Sequence, residues 1–74
     1  MSAMEIVLNG EKRQLPEDTT VSRLLETLKI APERVIVEVN LQILKRAEHQ
    51  GIVLKEGDQV EIVHFVGGGS LESL

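Results

Sequence analysis

The chain lacks cysteine, tryptophan and tyrosine, and Phe65 is its one aromatic residue. Without cysteine it can form neither a disulfide nor a thiolate metal site, which excludes the disulfide-stabilised class of small secreted domains. A single aromatic ring offers no platform on which nucleic-acid bases could stack. Twelve acidic residues against eight basic ones leave a net charge of -4, which disfavours contact with phosphate backbones. We therefore expect no nucleic-acid partner.

Long apolar runs are also missing. No segment approaches the ~20 apolar residues of a membrane-spanning helix, and the start MSAMEIVLNG lacks the basic segment and apolar core of a signal peptide. The 74 residues suffice for one small domain with a simple core. We therefore expect a cytoplasmic protein, monomeric when alone, with no membrane partner.

What is present is a pattern of short strands. Alternation of apolar and polar side chains predicts five of them, at residues 4–8, 11–15, 35–39, 43–44 and 60–66. Asn9 and Gly10 separate the first two, and this pair tolerates the positive φ that a two-residue hairpin turn requires. The first two strands are therefore predicted to form a hairpin.

One helix is predicted between the second and third strands. Apolar residues recur there with helical spacing, at Val21, Leu24, Leu25 and Leu28. The hydroxyl of Thr19 or Thr20 can cap the first turn, and Pro32 prevents much continuation beyond it. The order β-β-α-β-β-β predicts a two-layer α+β domain over residues 1–66, in which the helix covers one face of one sheet.

The last strand runs into Gly67, Gly68 and Gly69, and SLESL follows. A phosphate-binding loop would need a helix after the glycines, and SLESL is too short for one. Two interpretations remain: a flexible end, or a tail without side chains that threads into the active site of another protein. In both, residues 67–74 are predicted to form a flexible tail.

A threading tail would react through its C-terminal carboxylate. Attack on the α-phosphate of ATP gives an acyl-adenylate, and a sulfur donor then displaces AMP and leaves a thiocarboxylate. Such a carrier needs no catalytic residue of its own, and the sequence shows no nucleophile–base pair. His49 and His64 have no partners at metal-ligand spacing, so we expect surface or partly buried histidines, and no bound metal or cofactor.

Four apolar residues lie at strand positions that alternate with the predicted core positions, so their side chains should point to the other face of the sheet. They are Val7, Ile36, Val63 and Phe65. If their strands are neighbours, they form an exposed patch on the face of the sheet that the helix leaves open. A contiguous exposed patch is typical of an interface. Docking of a partner on this face and partial cover by neighbouring loops are both open.

The order of the segments resembles the bacterial ThiS sulfur carriers, the ubiquitin-like β-grasp proteins of thiamin biosynthesis. The resemblance rests on IVLNGE, TVSRLLETL, VNLQI, LKEGDQVEI and GGG, and it covers nearly the whole chain up to Gly69. It implies a β-grasp fold, a mixed sheet of four or five strands on one main helix, whose first and last strands lie parallel at the centre. It also implies that Gly69 is adenylated and carries the thiocarboxylate, with Gly67 and Gly68 as the threading tail.

The resemblance implies three kinds of partner. The first is an E1-like adenylyltransferase that uses ATP, and the second is thiazole synthase or another enzyme that accepts the sulfur. The third, a tail-removing protease, is needed only if residues 70–74 belong to the working protein, because the family's carriers are active when the last glycine ends the chain, whereas here Gly69 is joined to Ser70. A second, smaller departure is Lys45, which stands where many relatives have proline and is expected to be harmless.

Two alternatives to a thiamin carrier stay open at this point. Some carriers that resemble ubiquitin precursors have a short tail trimmed by a zinc-dependent protease, and they serve amino-acid or specialised-metabolite pathways. The chain could also be a non-reacting β-grasp module that only binds another protein. The sequence leaves the final sulfur acceptor open.

Overall fold

The computed structural model describes residues 2–66 and 69–74, which form one α-helix and six strands. In chain order these are β1 (Ala3–Leu8), β2 (Glu11–Pro16), α1 (Val21–Thr27), β3 (Val35–Val39), β4 (Gln42–Leu44), β5 (Gln59–Val66) and β6 (Ser70–Ser73). Short 3₁₀ turns at Pro32–Arg34 and Arg46–Glu48 precede β3 and follow β4. The five predicted strands and the helix are all present, with boundaries shifted by at most one residue.

The first hairpin forms as its turn sequence predicts. Asn9 has a φ of 50° and Gly10 a φ of 83°, the left-handed backbone that Asn and Gly tolerate best. The turn sets the register, which pairs Leu8 with Glu11 and runs to Ala3 opposite Pro16. Pro16 ends the ladder because it has no N–H to donate.

The helix begins at a threonine cap. Thr20 has an extended backbone, and its hydroxyl accepts a hydrogen bond from the Arg23 N–H at 3.1 Å. The neighbouring Thr19 is buried and donates to the Pro16 carbonyl at 2.6 Å, so the two threonines have different roles. The helix ends at Thr27, and Lys29 leaves it with a φ of 59°.

The strands form one mixed sheet in the order β2-β1-β5-β3-β4. β1 and β5 lie side by side and parallel at its centre, while β5 pairs antiparallel with β3 and β3 with β4. This confirms the β-grasp arrangement that the resemblance implies. The parallel pair needs a long connection, and the chain from β1 to β5 supplies it through β2, α1, β3 and β4.

The core lies between the helix and one face of the sheet. The helix contributes Val21, Leu24 and Leu25. The other buried apolar side chains come from the strands and from one loop residue, namely Met4, Ile6, Leu15, Val35, Val37, Val39, Leu54, Val60 and Ile62. The side chains of Val60 and Ile62 point into the core as the alternation predicts. The side chains at the alternate positions of β5 therefore point away from the helix.

The sequence predicts no regular structure after the glycines, whereas the structure places Ser70–Ser73 in β6. β6 pairs antiparallel with β5, from Val66 opposite Ser70 to Val63 opposite Ser73. The edge is free there because β1 pairs only with the first residues of β5, Gln59 and Val60. The proposed boundary between residues 66 and 67 stays a prediction.

Candidate functional site

The candidate site is the end of β5 together with the residues that follow it. Gly69 has a φ of +81°, and a Cβ built there would meet no other atom within 4 Å. The backbone, rather than a lack of space, therefore favours glycine at this position. Gly67 and Gly68, the rest of the predicted threading tail, lie outside the described residues.

Asn9 joins three strands at this site. Its Oδ1 accepts a hydrogen bond from the Ile62 N–H at 2.8 Å, and its Nδ2 donates to the Ile62 carbonyl and the Leu74 carbonyl, each at 3.1 Å. The side-chain amide thus continues the ladder along β5 between the end of β1 and the end of β6. Asn9 was predicted only as a turn residue, because nothing near it in the chain indicates the contact with Ile62.

Two leucines of the tail contact the domain. Leu71 lies opposite Phe65 on the outer face of the sheet, and the two remain 45% and 54% exposed. Leu74 lines a cavity of about 390 Å³ whose apolar part is formed by Leu8, Leu28, Ile30 and Ile62. The Leu74 N–H also donates to the Ile62 carbonyl at 3.1 Å.

The predicted patch on the outer face is only partly contiguous. Ile36 and Val63 are direct partners across β3 and β5, and Phe65 follows Val63 on the same face. Val7 lies apart, because the register of β1 and β5 places it beside Gln59, four residues before Val63. The structure therefore brings three of the four predicted residues together and adds Leu71 to them. The docking role of all four stays a prediction.

Acidic residues border the apolar part of this face. Glu38 and Glu61 lie directly opposite each other on β3 and β5, one step along from the pair of Ile36 and Val63. Two like charges at facing positions repel each other and gain from a cationic partner. The outer face therefore combines an apolar end near the tail with an acidic middle.

The prediction of surface or partly buried histidines is confirmed for His64, which is partly buried, and is wrong for His49. His64 faces inward and lies opposite Glu72 of β6, and its Nδ1 atom is buried without a hydrogen-bond partner. His49 is only 4% exposed. The polar sequence around His49 gives no sign of this burial. The helix lies against this segment, and the Ser22 N–H donates to the His49 carbonyl at 3.0 Å.

Burial lowers the pKa of the His49 imidazole below its usual 6.5, and the Arg46 guanidinium lowers it further, while Glu48 opposes them. The folded chain therefore favours neutral His49, and the unfolded chain binds the proton first as the pH falls. This contribution to the free energy of unfolding is complete above pH 6.5 and is lost as the pH falls through the lower pKa of the folded state. We expect stability to decline in that window.

Urea unfolding at about pH 7.5 and about pH 5.5 measures this dependence. His49→Gln should reduce the difference in the free energy of unfolding between the two pH values. His64→Gln should retain the contribution of His49 to that difference, because His49 still titrates. A His49→Gln profile identical to that of the unchanged chain would show that His49 does not cause the decline.

Within residues 2–66 and 69–74, no group of three or more His, Cys, Asp or Glu residues could hold a metal ion. In the same part of the chain, no helix has the length and apolar character needed to cross a membrane. The reactive group expected at the site belongs to Gly69, whose carbonyl forms an amide bond with Ser70. An amide carbonyl cannot attack ATP as a carboxylate does, so Gly69 can react in this way only after that bond is cleaved.

Comparison with known families gives one match of nearly full length. The model of the ThiS family matches residues 3–69. The match therefore includes strands β1 to β5, the helix and all three glycines, and it ends at Gly69, before β6.

Individual relatives agree with the family match. The chain is 40% identical over 63 residues to the sulfur carrier protein ThiS of Bacillus subtilis, covering 84% of this chain and 96% of that protein. It is 47% identical over 66 residues to a thiazole synthase of Magnetococcus marinus, covering 89% of this chain. The chain spans only 20% of that thiazole synthase, and 21% of a second one from Paramagnetospirillum magneticum.

A solved structure supports the same fold. The crystal structure of the thiamine biosynthesis protein (ThiS) from Geobacter metallireducens superposes with a TM-score of 0.78 at 38% sequence identity. The alignment covers 89% of this chain and 100% of that chain.

Proposed function

This chain belongs to the ThiS family, and from that premise we propose that it is a sulfur carrier protein of thiamin biosynthesis. Gly69 is the residue that carries the sulfur, as a thiocarboxylate, once it is the last residue of the chain. The chain acts as a protein cosubstrate rather than as an enzyme, and it supplies a reactive end on a stable platform.

The observation that carries this proposal is the position of Gly69. The family match ends at this residue, which follows the central strand β5 by three positions. A rigid strand at the centre of the sheet holds the start of the tail in a fixed direction. A tail without side chains can then enter a narrow channel, because the backbone alone has to fit.

The chemistry proceeds in three steps. Water hydrolyses the amide between Gly69 and Ser70, which leaves a carboxylate on Gly69 and an amine on Ser70. The carboxylate attacks the α-phosphorus of ATP, pyrophosphate leaves, and an acyl-adenylate forms. A sulfur donor at the oxidation level of sulfide then displaces AMP and leaves the thiocarboxylate. ATP is thus a substrate of the adenylating enzyme and is not bound by this chain alone.

Two enzymes follow from this chemistry as partners. An E1-like adenylyltransferase carries out the activation, and a thiazole synthase accepts the sulfur. The second assignment is supported by the thiazole synthases that contain a segment similar to this chain. We place all these steps in the cytoplasm, and a protease that cleaves after Gly69 is required wherever Ser70 is present.

Mass spectrometry of the protein from its native cell tests the proposal. We expect a species that ends at Gly69, and a second species heavier by the exchange of one oxygen for sulfur. The abundance of the heavier, sulfur-containing species should fall when the supply of sulfur is limited. If every native molecule retains Ser70 after Gly69, the chain is a non-reacting binding module and the proposal is wrong.

The outer face gives a prediction about docking. Phe65→Asp in a chain that ends at Gly69 should reduce adenylation by about tenfold or more, since it places a charge in an apolar contact. The domain should stay folded, because Phe65 is 54% exposed. Ile43→Asp is the matched control, since Ile43 is exposed on β4 away from the tail. ATP–pyrophosphate exchange measures both variants, and equal losses would show that the apolar end of the face has no special role.

A further inference from the structure

Residues 70–74 do more than block the carboxyl group of Gly69. We propose that they form a blocking strand: their pairing with β5 protects the bond between Gly69 and Ser70 from a protease until the strand is released. This inference depends on the proposed function in one respect, namely that the bond has to be cleaved. The protection itself can be measured without any sulfur chemistry.

The ladder between β5 and β6 shows how the strand is held. From Asp58, just before β5, every second residue directs its backbone toward this edge. The Asp58 and Val60 carbonyls accept from the Val7 and Asn9 N–H groups, and the Ile62 carbonyl accepts from the Leu74 N–H. By the same alternation, the backbone N–H and carbonyl groups of His64 and Val66 point toward β6. Their register partners are Glu72 and Ser70, so the residue that follows the bond to be cleaved is itself part of the ladder.

The far end of the blocking strand is anchored as well. Asn9 donates to the Leu74 carbonyl at 3.1 Å, and Leu74 lines the cavity beside Ile62. Between the two ends, Leu71 lies opposite Phe65 on the outer face. The pairing therefore continues from Ser70 to Leu74, and it occupies the whole edge that β1 leaves free.

A protease has to bind its substrate as a separate, accessible segment before it cleaves. Segments paired within a sheet are cleaved through the open form, so the rate follows the population of that form. All four residues of β6 are exposed, which indicates a strand of low local stability. The strand is thus held firmly enough to slow cleavage and weakly enough to be released.

Two proline variants of the 74-residue chain test the proposal. The Glu72 N–H faces β5 by the alternation above, so Glu72→Pro removes a hydrogen bond of the ladder. The Ser73 N–H faces away, so Ser73→Pro leaves the ladder intact and is the matched control. Subtilisin, a protease of broad specificity, serves as the probe, and intact mass measures the release of residues 70–74.

We expect Glu72→Pro to raise the cleavage rate by about tenfold and Ser73→Pro to change it by less than about threefold. Synthetic peptides of residues 63–74 with the same substitutions correct for the protease's own preferences. Amide exchange of His64 and Val66 should be slow in the unchanged chain and in Ser73→Pro, and fast in Glu72→Pro and in a chain that ends at Gly69.

Equal corrected cleavage rates for the two variants would overturn the proposal, even if amide exchange differs between them. Fast exchange of His64 and Val66 in the unchanged chain would overturn it as well, because the strand would then not be held. Neither result would bear on the sulfur chemistry, which depends on the chain that ends at Gly69. Conversely, if the chain that ends at Gly69 were not adenylated, the proposed function would be wrong, but the measured protection by β6 would be unaffected.

Discussion

A chain that ends at Gly69 is expected to support ATP–pyrophosphate exchange with a cognate E1-like adenylating enzyme, whereas the 74-residue chain is expected to give none above background. Only the shorter chain presents a free carboxylate on glycine. The longer chain ends in a carboxylate at Leu74, but that residue has a branched side chain, and its carboxylate oxygen accepts a hydrogen bond from Asn9 Nδ2. A channel shaped for glycine should not admit it.

Two further chains make this comparison specific. A chain that ends at Gly68 and a chain that ends at Ser70 each present a free carboxylate, displaced by one residue from Gly69. Both should be poor substrates if the reacting atom must reach a fixed position, since a displacement of about 1 Å already costs large factors in rate. The masses of all chains must be checked after the assay, to exclude trimming. Equal exchange by the 69- and 74-residue chains, with both masses unchanged, would show that Gly69 is not the reacting residue.

The second expected result is a large loss of stability in Leu25→Ala. Leu25 lies on the buried face of α1 and is 1% exposed. Truncation removes apolar contacts and leaves a cavity between the helix and the sheet, and such changes cost about 2–5 kcal/mol. A domain of this size has a small total stability, so a substantial fraction of the molecules should be unfolded at moderate temperature.

Urea unfolding followed by circular dichroism measures the change in the free energy of unfolding. The matched control is Leu41→Ala, which removes the same atoms from a side chain that is 88% exposed. Leu41 has a positive φ of 70°, and alanine keeps that strain, so the control should differ little from the unchanged chain. Similar losses in both variants would mean that burial of Leu25 does not stabilise the fold.

Local sequence determined the platform of this protein. The helix follows from four apolar residues at helical spacing, and Pro32 limits how far it can continue beyond Thr27. The first hairpin follows from the turn of Asn9 and Gly10. In each case the physical cause lies within a few residues of the structure it produces, so the pattern alone is sufficient.

The resemblance to a family supplied what local pattern could not. Alternation predicts five strands but leaves their order open, since pairing depends on contacts between distant segments. The parallel contact of β1 and β5 joins residues more than fifty positions apart, such as Val7 and Gln59. The same applies to Gly69, because composition alone allows a flexible end as readily as a reactive one.

Tertiary structure alone decided the surroundings of the tail. β6 forms because β1 pairs with only the start of β5 and leaves its later edge open, which SLESL by itself does not indicate. The register of β1 and β5 separates Val7 from the patch, although its side chain lies on the predicted face of the sheet. His49 is buried within a polar segment because a distant helix packs against it. In all three, the deciding contact is made by a segment far away in the chain, so no local pattern could have carried it.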